Sequence, residues 1–166
     1  VRVALIGKPN VGKSSLLNIL LEEDRAFVSE IAGTTRDVIE ESIILNGIEF
    51  VFFDTAGLRA SIDAIEQEGI RRTLLSFKQA DIALFIIDSS HEFSRDDGLM
   101  LKHITESAET KIPFLICINK VDIKNKAFSM SELGIIHSVE ISCKTSLGID
   151  KLKKELVDLS LPNHDA

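Results

Sequence analysis

The stretch GKPNVGKS at residues 7–14 decides the fold of this chain. It fits the pattern G-x-x-x-x-G-K-[ST], in which glycines let backbone amides point inward around a phosphate group. The apolar run of residues 1–6 predicts a buried parallel strand before it, and the leucine spacing of residues 14–21 predicts a helix after it. In this strand-loop-helix context the helix dipole favours phosphate. We therefore predict that Lys13 bridges the β- and γ-phosphates of a nucleotide and that the Ser14 hydroxyl binds Mg²⁺.

The composition and charge of the chain restrict its class. Its 166 residues are 45% hydrophobic and 27% charged, which is typical of one globular domain and excludes a disordered chain. The net charge is 19 − 26 = −7, which argues against a domain that covers nucleic-acid phosphates with positive charge. No apolar run approaches the roughly 20 residues that a membrane-spanning helix needs. Two cysteines are too few for a disulfide scaffold, so we expect a reducing, cytoplasmic compartment. Because the chain starts at Val1 without an initiator methionine, we also expect residues 1–166 to be a single domain cut from a longer protein.

Apolar runs alternate with amphipathic stretches along the whole chain, which predicts an α/β fold. Such alternation gives a mostly parallel sheet with helices on both faces. The dipeptide Asn46-Gly47 between two β-rich runs predicts a hairpin, which adds one antiparallel strand. The predicted strands are residues 1–6, 38–45, 48–54, 82–88, 113–119 and 139–142. The predicted helices are residues 14–21, 64–77, 96–106 and 148–159, and the predicted loops are 22–36, 55–63 and, with one helical turn, 121–134.

A second phosphate element is expected where DTAG, residues 54–57, follows a predicted strand. The carboxylate of Asp54 can hold the Mg²⁺ shell through a water, and Gly57 leaves room for its amide to reach the γ-phosphate. An ordinary Asp-to-Gly turn has the same pattern. The functional interpretation of DTAG therefore depends on its occurrence together with residues 7–14, the phosphate-binding loop.

A base-binding element is expected at NKVD, residues 119–122, after the fifth predicted strand. The carboxylate of Asp122 can accept hydrogen bonds from the N1–H and 2-amino groups of guanine, and adenine offers neither donor there. A mismatched base would leave the carboxylate unpaired, at a cost of about 1–3 kcal/mol or more. The stem of Lys120 can lie along the base plane. The stretch SCK at residues 142–144 follows the last predicted strand, where a backbone amide can meet the guanine O6.

Together these motifs resemble the translation-factor-like branch of small GTPases over nearly the whole chain. Three stretches narrow the resemblance to the bacterial tRNA-modification GTPase family MnmE. Residues 31–37, 54–59 and 65–70 resemble its motifs G-T-T-R-D, D-T-A-G-L-R and V-E-x-x-G-I. The resemblance implies a Ras-like, three-layer P-loop NTPase fold whose sheet has six mostly parallel strands. Ser142-Cys143-Lys144 departs from the Ser-Ala-Lys/Arg motif that the family usually has, and backbone recognition of guanine should survive that small change.

The resemblance also implies how GTP is hydrolysed. Leu58 stands where Ras-like GTPases carry a catalytic glutamine, and the glutamate that replaces it in the family maps to Glu66, which would position the attacking water. From the residue pattern alone, a solvated carboxylate near a helix N-terminus is the favoured interpretation of Glu66, and its catalytic role depends on the resemblance. Asn10 maps to the asparagine that coordinates K⁺, and a cation there would supply the charge that an arginine finger supplies elsewhere. Thr35 maps to the switch threonine that binds Mg²⁺.

The site residues expected on these grounds fall into three groups. Catalysis is assigned to Glu66, Lys13 and Thr35; Mg²⁺ to Ser14, Thr35 and, through water, Asp54; and K⁺ to Asn10, Ser29, Ile31 and Thr34. The nucleotide is assigned to Asn10, Val11, Gly12, Lys13, Ser14, Ser15, Ser29, Glu30, Ile31, Ala32, Gly33, Thr34, Thr35, Asp54, Thr55, Ala56, Gly57, Asn119, Lys120, Asp122, Ser142, Cys143 and Lys144. Arg36 and Arg59 flank the site, and the sequence leaves open whether they contact phosphate, a partner or solvent.

The partners and the competing functions follow from the same resemblance. The family implies binding of GTP and GDP, self-association of GTPase domains through their switches, and no membrane. Through the full-length protein it implies the flavoprotein MnmG and tRNA, with the wobble uridine (U34) modified at C5. One alternative is a guanine-nucleotide switch in ribosome assembly, like the GTPase Der. Another is the cytosolic domain of a ferrous-iron transporter, against which the G-T-T-R-D match counts.

Overall fold

The computed structural model of the chain describes residues 1–8, 10–26, 40–54, 79–106, 112–130 and 137–161, with only the backbone at residues 54, 100 and 103–106. The strands are β1 (Arg2–Ile6), β2 (Glu40–Leu45), β3 (Ile48–Asp54), β4 (Ile82–Asp88), β5 (Phe114–Asn119) and β6 (Ser138–Glu140). The α-helices of the described ranges are α1 (Lys13–Asp24), α2 (Arg95–Glu106) and α3 (Ile149–Ser160), and Val121–Ile123 form a short 3₁₀-helix.

The six strands form one sheet in the order β2-β3-β1-β4-β5-β6. Neighbouring strands are parallel except β2 and β3, which are antiparallel. Leu45 pairs with Ile48 across the hairpin, and Asn46 and Gly47 between them have φ angles of 51° and 78°. Two consecutive left-handed residues are what a two-residue hairpin turn of type I′ requires. The predicted mostly parallel sheet with one antiparallel hairpin is therefore confirmed.

Alternate residues of the central strand β1 enter two different hydrophobic clusters. Val3 and Leu5 pack in the cluster that contains the buried leucines of α1 and α3, and Ala4 and Ile6 pack in the cluster that contains Leu101 of α2. All four β1 side chains are at most 3% exposed. A strand buried on both faces is apolar without alternation, which explains why the apolar run of residues 1–6 is broken only by Arg2. The predicted three-layer arrangement, with helices on both faces of the sheet, is confirmed.

Several element ends differ from the prediction. Helix α1 continues through residues 22–24, which were predicted to be loop. These residues lack apolar spacing, but Lys153 of α3 forms ion pairs with Glu23 and Asp24 and supports the last turn. Strand β6 ends at Glu140 rather than at Ser142, because the amide of Ser142 turns back to donate to the carbonyl of Leu147 at 3.0 Å.

The remaining predictions of secondary structure divide into two groups. The helical turn expected within residues 121–134 is present as the 3₁₀-helix Val121–Ile123. The helix predicted at residues 64–77 and the loop predicted at 55–63 lie outside the described residues. Among the described helices, none has both the length and the apolar character to cross a membrane.

Candidate nucleotide-binding site

Three of the predicted motifs begin where parallel strands of the sheet end. The phosphate-binding loop follows β1, the NKVD stretch begins with the last residue of β5, and the SCK stretch follows β6. Because the carboxyl ends of parallel strands lie on one edge of the sheet, the motifs meet there. That edge is where open α/β sheets bind ligands.

The phosphate-binding loop packs so tightly on its neighbours that two glycines are required. A Cβ atom on Gly7 would lie 2.7 Å from the carbonyl oxygen of Ile86 in β4. Gly12 has a φ of 106°, and a Cβ atom there would collide with the side-chain amide of Asn119 in β5. The loop is therefore seated directly on the ends of β4 and β5.

Helix α1 begins in a way that suits an anion. Its N-cap is Gly12, no side chain caps it, and its first turn contains no acidic residue. By contrast, the first turn of α2 contains Asp96 and Asp97, and that of α3 contains Asp150. The first backbone N–H groups of a helix have no partner within the helix. At the start of α1 they meet no capping side chain, and no carboxylate of the helix's own first turn offsets their positive potential.

Lys13 directs its charge into the phosphate-binding loop. Its side chain is buried, at 7% exposure, and its Nζ donates a hydrogen bond to the carbonyl oxygen of Gly7 at 2.8 Å. Ser14 and Ser15 are exposed beside it in the first turn of α1. A hydroxyl oxygen is a hard ligand of the kind that Mg²⁺ prefers, so the placement of Ser14 fits the predicted metal role.

Asn119 joins the phosphate-binding loop to the SCK stretch. It is 1% exposed, and its Nδ2 donates to the carbonyl of Val11 at 2.9 Å. Its Oδ1 accepts a hydrogen bond from the amide of Cys143 at 3.3 Å. Both polar atoms of this side chain are thus engaged within the protein. Asn119 therefore holds the two loops at a fixed separation.

The carboxylate of Asp122 is exposed and held in one orientation. Its Oδ1 accepts a hydrogen bond at 2.8 Å from the hydroxyl of Ser142, which is fully buried. The Ser142 oxygen in turn accepts a hydrogen bond from the amide of Thr145 at 3.2 Å. An oriented, accessible carboxylate is the feature that recognition of the two guanine donors requires. Lys144, the last residue of the SCK stretch, is exposed.

The two cysteines have different surroundings. Cys117 of β5 is fully buried in the core, and burial raises the pKa of its thiol. Cys143 is half-buried beside Asn119, and burial raises the pKa of this thiol as well. Both side chains are therefore neutral thiols at neutral pH.

Two residues that the motifs do not contain, Asp88 and Ser89, hold the NKVD stretch in place. Ser89 is fully buried, and its hydroxyl and amide both donate to the carbonyl of Asn119, at 2.7 and 2.9 Å. Asp88 accepts a hydrogen bond from Nζ of Lys120 at 2.9 Å. Burial alone would raise the pKa of Asp88, but hydrogen bonds from Ser90 and Lys120 outweigh it and lower that pKa below its ordinary range. The sequence signal that could have indicated Asp88 and Ser89 is the polar run that follows the apolar strand β4, at the same edge of the sheet as the motifs.

The structure thus brings together the phosphate-binding loop, the NKVD stretch and the SCK stretch. Asp54 is placed at the end of β3 by its backbone, which pairs with Leu5 of β1. The other expected site residues lie outside the described residues: Ser29, Glu30, Ile31, Ala32, Gly33, Thr34, Thr35, Thr55, Ala56, Gly57 and Glu66. Arg36 and Arg59 lie outside them too.

Solved structures of GTPase domains resemble the whole chain. The G domain of the FeoB iron transporter of T. maritima is 26% identical with a TM-score of 0.67, and the match covers 97% of this chain and 99% of that one. Era from Aquifex aeolicus, solved as a variant bound to GDP and AlF₄⁻, is 28% identical with a TM-score of 0.68. That match covers 99% of this chain and 57% of Era.

Sequence comparison gives a nearer relative and the family. The tRNA modification GTPase MnmE of Natranaerobius thermophilus is 46% identical over 163 residues, which cover 96% of this chain. The chain spans about a third of the length of that relative, at 34%. The sequence model of the family described as 50S ribosome-binding GTPase matches residues 2–120. The resemblance found in the motifs is confirmed. The chain is a GTPase domain that belongs to the family described as 50S ribosome-binding GTPase.

Proposed function

We propose that this chain is the GTP-hydrolysing domain of a longer, cytoplasmic protein that serves C5 modification of the wobble uridine (U34) of tRNA. One observation carries the proposal. The chain is 46% identical to the N. thermophilus tRNA modification GTPase over almost its full length, whereas it is 26% identical to the iron-transporter G domain. The motifs at residues 31–37 and 65–70 support the same choice. In the longer protein, the flavoprotein MnmG and tRNA would be its partners.

The chemistry that we propose at the site is hydrolysis of GTP to GDP and phosphate. Lys13 would neutralise charge on the β- and γ-phosphates, and the amides at the start of α1 would bind the same oxygens. Mg²⁺ would be held by Ser14 and Thr35, with Asp54 acting through a water. Glu66 would position the attacking water, because Leu58 has no polar group with which to do so.

We also propose that K⁺ assists hydrolysis, with Asn10, Ser29, Ile31 and Thr34 as its ligands. Asn10 is exposed in the phosphate-binding loop and has a left-handed φ of 69°. Its carbonyl accepts a hydrogen bond from Nζ of Lys120 at 3.1 Å, so its backbone is fixed. An amide oxygen is a suitable ligand for a hard cation. The cation would stabilise charge in the transition state and favour face-to-face pairing of two domains through their switches.

A second candidate function has one observation in its favour. The matching family is described as 50S ribosome-binding GTPase, which favours a nucleotide-dependent switch in ribosome assembly. In that case nucleotide-dependent binding to ribosomal particles, rather than tRNA modification, would depend on the chain.

An exchange experiment separates these functions. The chain replaces the 163 matched residues of the N. thermophilus relative, and the hybrid is expressed in a bacterium without its own tRNA modification GTPase. We expect nucleoside mass spectrometry to show modified U34 restored, because the exchanged domain would supply the GTP hydrolysis that the modification needs. The hybrid with Lys13→Met should stay at the background level.

The contradicting outcome is equally measurable. A hybrid that hydrolyses GTP as fast as the intact relative but leaves U34 unmodified would overturn the tRNA proposal. Restored 50S particles in a strain that lacks a ribosome-assembly GTPase would then favour the second function.

A further inference from the structure

The side chain of Lys120 is held between oxygens from two different parts of the site. Its Nζ donates to Oδ2 of Asp88 at 2.9 Å and to the carbonyl oxygen of Asn10 at 3.1 Å. Lys120 also has a left-handed φ of 64°, which is uncommon for a residue with a side chain. Such a conformation persists where the surroundings impose it. Here the surroundings include the two hydrogen bonds of its Nζ.

Asp88 is itself fixed. Its side chain is 14% exposed, and its Oδ1 accepts hydrogen bonds from the amide and hydroxyl of Ser90, at 2.8 and 2.6 Å. The carboxylate cannot rotate away from Lys120 without breaking these bonds. Its charge stays at one place at the end of β4.

The backbone next to Asp88 fastens the same loop at both ends. Ser89 donates twice to the carbonyl of Asn119, and its own carbonyl accepts a hydrogen bond from the amide of Asn125 at 2.8 Å. The loop between residues 119 and 125 is thus tied to the end of β4. The structure shows one charged contact between residues 88–89 and the loop of residues 119–125, and Asp88 makes it, with Lys120.

We infer that Asp88 is a positioning residue that, through Lys120, holds the NKVD stretch and the Asn10 carbonyl of the phosphate-binding loop in one geometry. Asp88 supports binding by keeping the stem of Lys120 extended beside the base and by keeping the ammonium on the Asn10 carbonyl. It acts only through Lys120. The inference rests on GTP binding at this site and is independent of the proposed tRNA role.

A double-mutant cycle on the chain tests this relay. The Kd for fluorescently labelled GDP is measured with Mg²⁺ for Asp88→Asn, Lys120→Met and the double variant. We expect Asp88→Asn alone to weaken GDP binding about 10-fold, since a charged hydrogen-bond partner is lost. In the Lys120→Met background the same change should cost less than about 2-fold. A similar 10-fold loss in both backgrounds would overturn the inference.

A nuclear magnetic resonance signal tests the link to the phosphate-binding loop. The amide of Val11 is bonded to the carbonyl carbon of Asn10, so its resonance reports the hydrogen bond from Lys120. We expect Asp88→Asn to shift this resonance. An unmoved Val11 resonance in Asp88→Asn would contradict the proposed link.

The matched control removes a neighbouring carboxylate. Glu140 pairs at 2.7 Å with Lys124, which lies in the loop of residues 119–125. Among the contacts that the structure shows for residues 1–8 and 10–26, none joins Glu140 to the phosphate-binding loop. We expect Glu140→Gln to change neither GDP affinity nor the Val11 resonance. An equal shift in this control would show a non-specific charge effect and would overturn the inference.

Folding is checked by the thermal midpoint of each variant. If Asp88→Asn does not fold, Ser90→Ala takes its place in the cycle, because it removes one hydrogen bond that orients Asp88. A smaller loss that disappears in the Lys120→Met background supports the relay, and an additive loss overturns it. Failure of the unaltered chain to bind GDP would instead overturn GTP binding at this site, so the two failures are distinguishable.

Discussion

Replacing Asp122 by asparagine is expected to reverse the base preference of the site from GTP to xanthosine triphosphate. Guanine presents two donors, N1–H and the 2-amino group, which match the two acceptor oxygens of a carboxylate. Asparagine supplies one acceptor and one donor, and xanthine has a carbonyl acceptor where guanine has its amino group. Because one hydrogen bond to guanine is lost and the other is no longer assisted by charge, GDP affinity should fall by about 10²–10⁴-fold, while xanthosine diphosphate gains affinity.

The structure indicates that this exchange leaves the loop intact. The hydroxyl of Ser142 donates to Oδ1 of Asp122 at 2.8 Å, and the amide oxygen of asparagine can accept the same hydrogen bond. The measurement is the Kd of both diphosphates by competition. Asp150→Asn, at an exposed carboxylate in the first turn of α3, is the control and should change neither value. Asp122→Asn that still prefers GDP would contradict the assignment of Asp122 to the base.

Replacing Lys13 by methionine is expected to reduce GTP turnover by at least about 10²–10³-fold, the usual cost of removing one donor to transition-state charge. Methionine is similar in length and suits a side chain that is 7% exposed, so the fold should remain. What is lost is the ammonium that Gly7 holds inside the phosphate-binding loop. No other lysine lies in the first turn of α1.

Phosphate release at saturating GTP measures this effect, with the thermal midpoint as a check on folding. Lys151→Met, at an exposed lysine of α3, removes the same charge at a distance and should leave turnover unchanged. Turnover by Lys13→Met within about threefold of the unaltered chain would show that the loop stabilises the phosphates without Lys13.

Local sequence signals were sufficient for much of the fold. The apolar runs of β1 and β4 marked buried strands because a strand covered on both faces contains no polar alternation. The dipeptide Asn46-Gly47 located the hairpin because few residues accept its backbone angles. The predicted end of α1 was wrong because the last turn of the helix is supported by Lys153, which lies about 130 positions along the chain from Glu23. No local pattern carries such a contact.

The residues of the candidate site also fall into those with a local sequence signal and those that depend on distant contacts. The glycines, Lys13 and Asp122 stand in motifs whose spacing reflects the expected ligand, so the sequence alone predicts their roles. Asp88 and Ser89 were missed because they act on protein atoms about 30 positions away. Their role becomes visible once the register of β4 and β5 places Asp88 beside Asn119. The motif spacing also could not predict the structural role of Asn119, whose side chain joins the phosphate-binding loop to the SCK stretch.

Cation-assisted hydrolysis is the central claim about this site, and turnover in two salts tests it most directly. GTP hydrolysis is measured with Mg²⁺ in KCl and in NaCl at equal ionic strength, for the unaltered chain, Asn10→Ala and Glu66→Ala. We expect turnover at least about 10-fold faster in KCl, because a correctly sized cation adds positive charge where charge develops in the transition state. Asn10→Ala should lose the difference between salts, and Glu66→Ala should be slow in both. Equal slow rates of the unaltered chain in both salts would contradict the claim and leave a guanine-nucleotide switch that needs a partner to hydrolyse GTP.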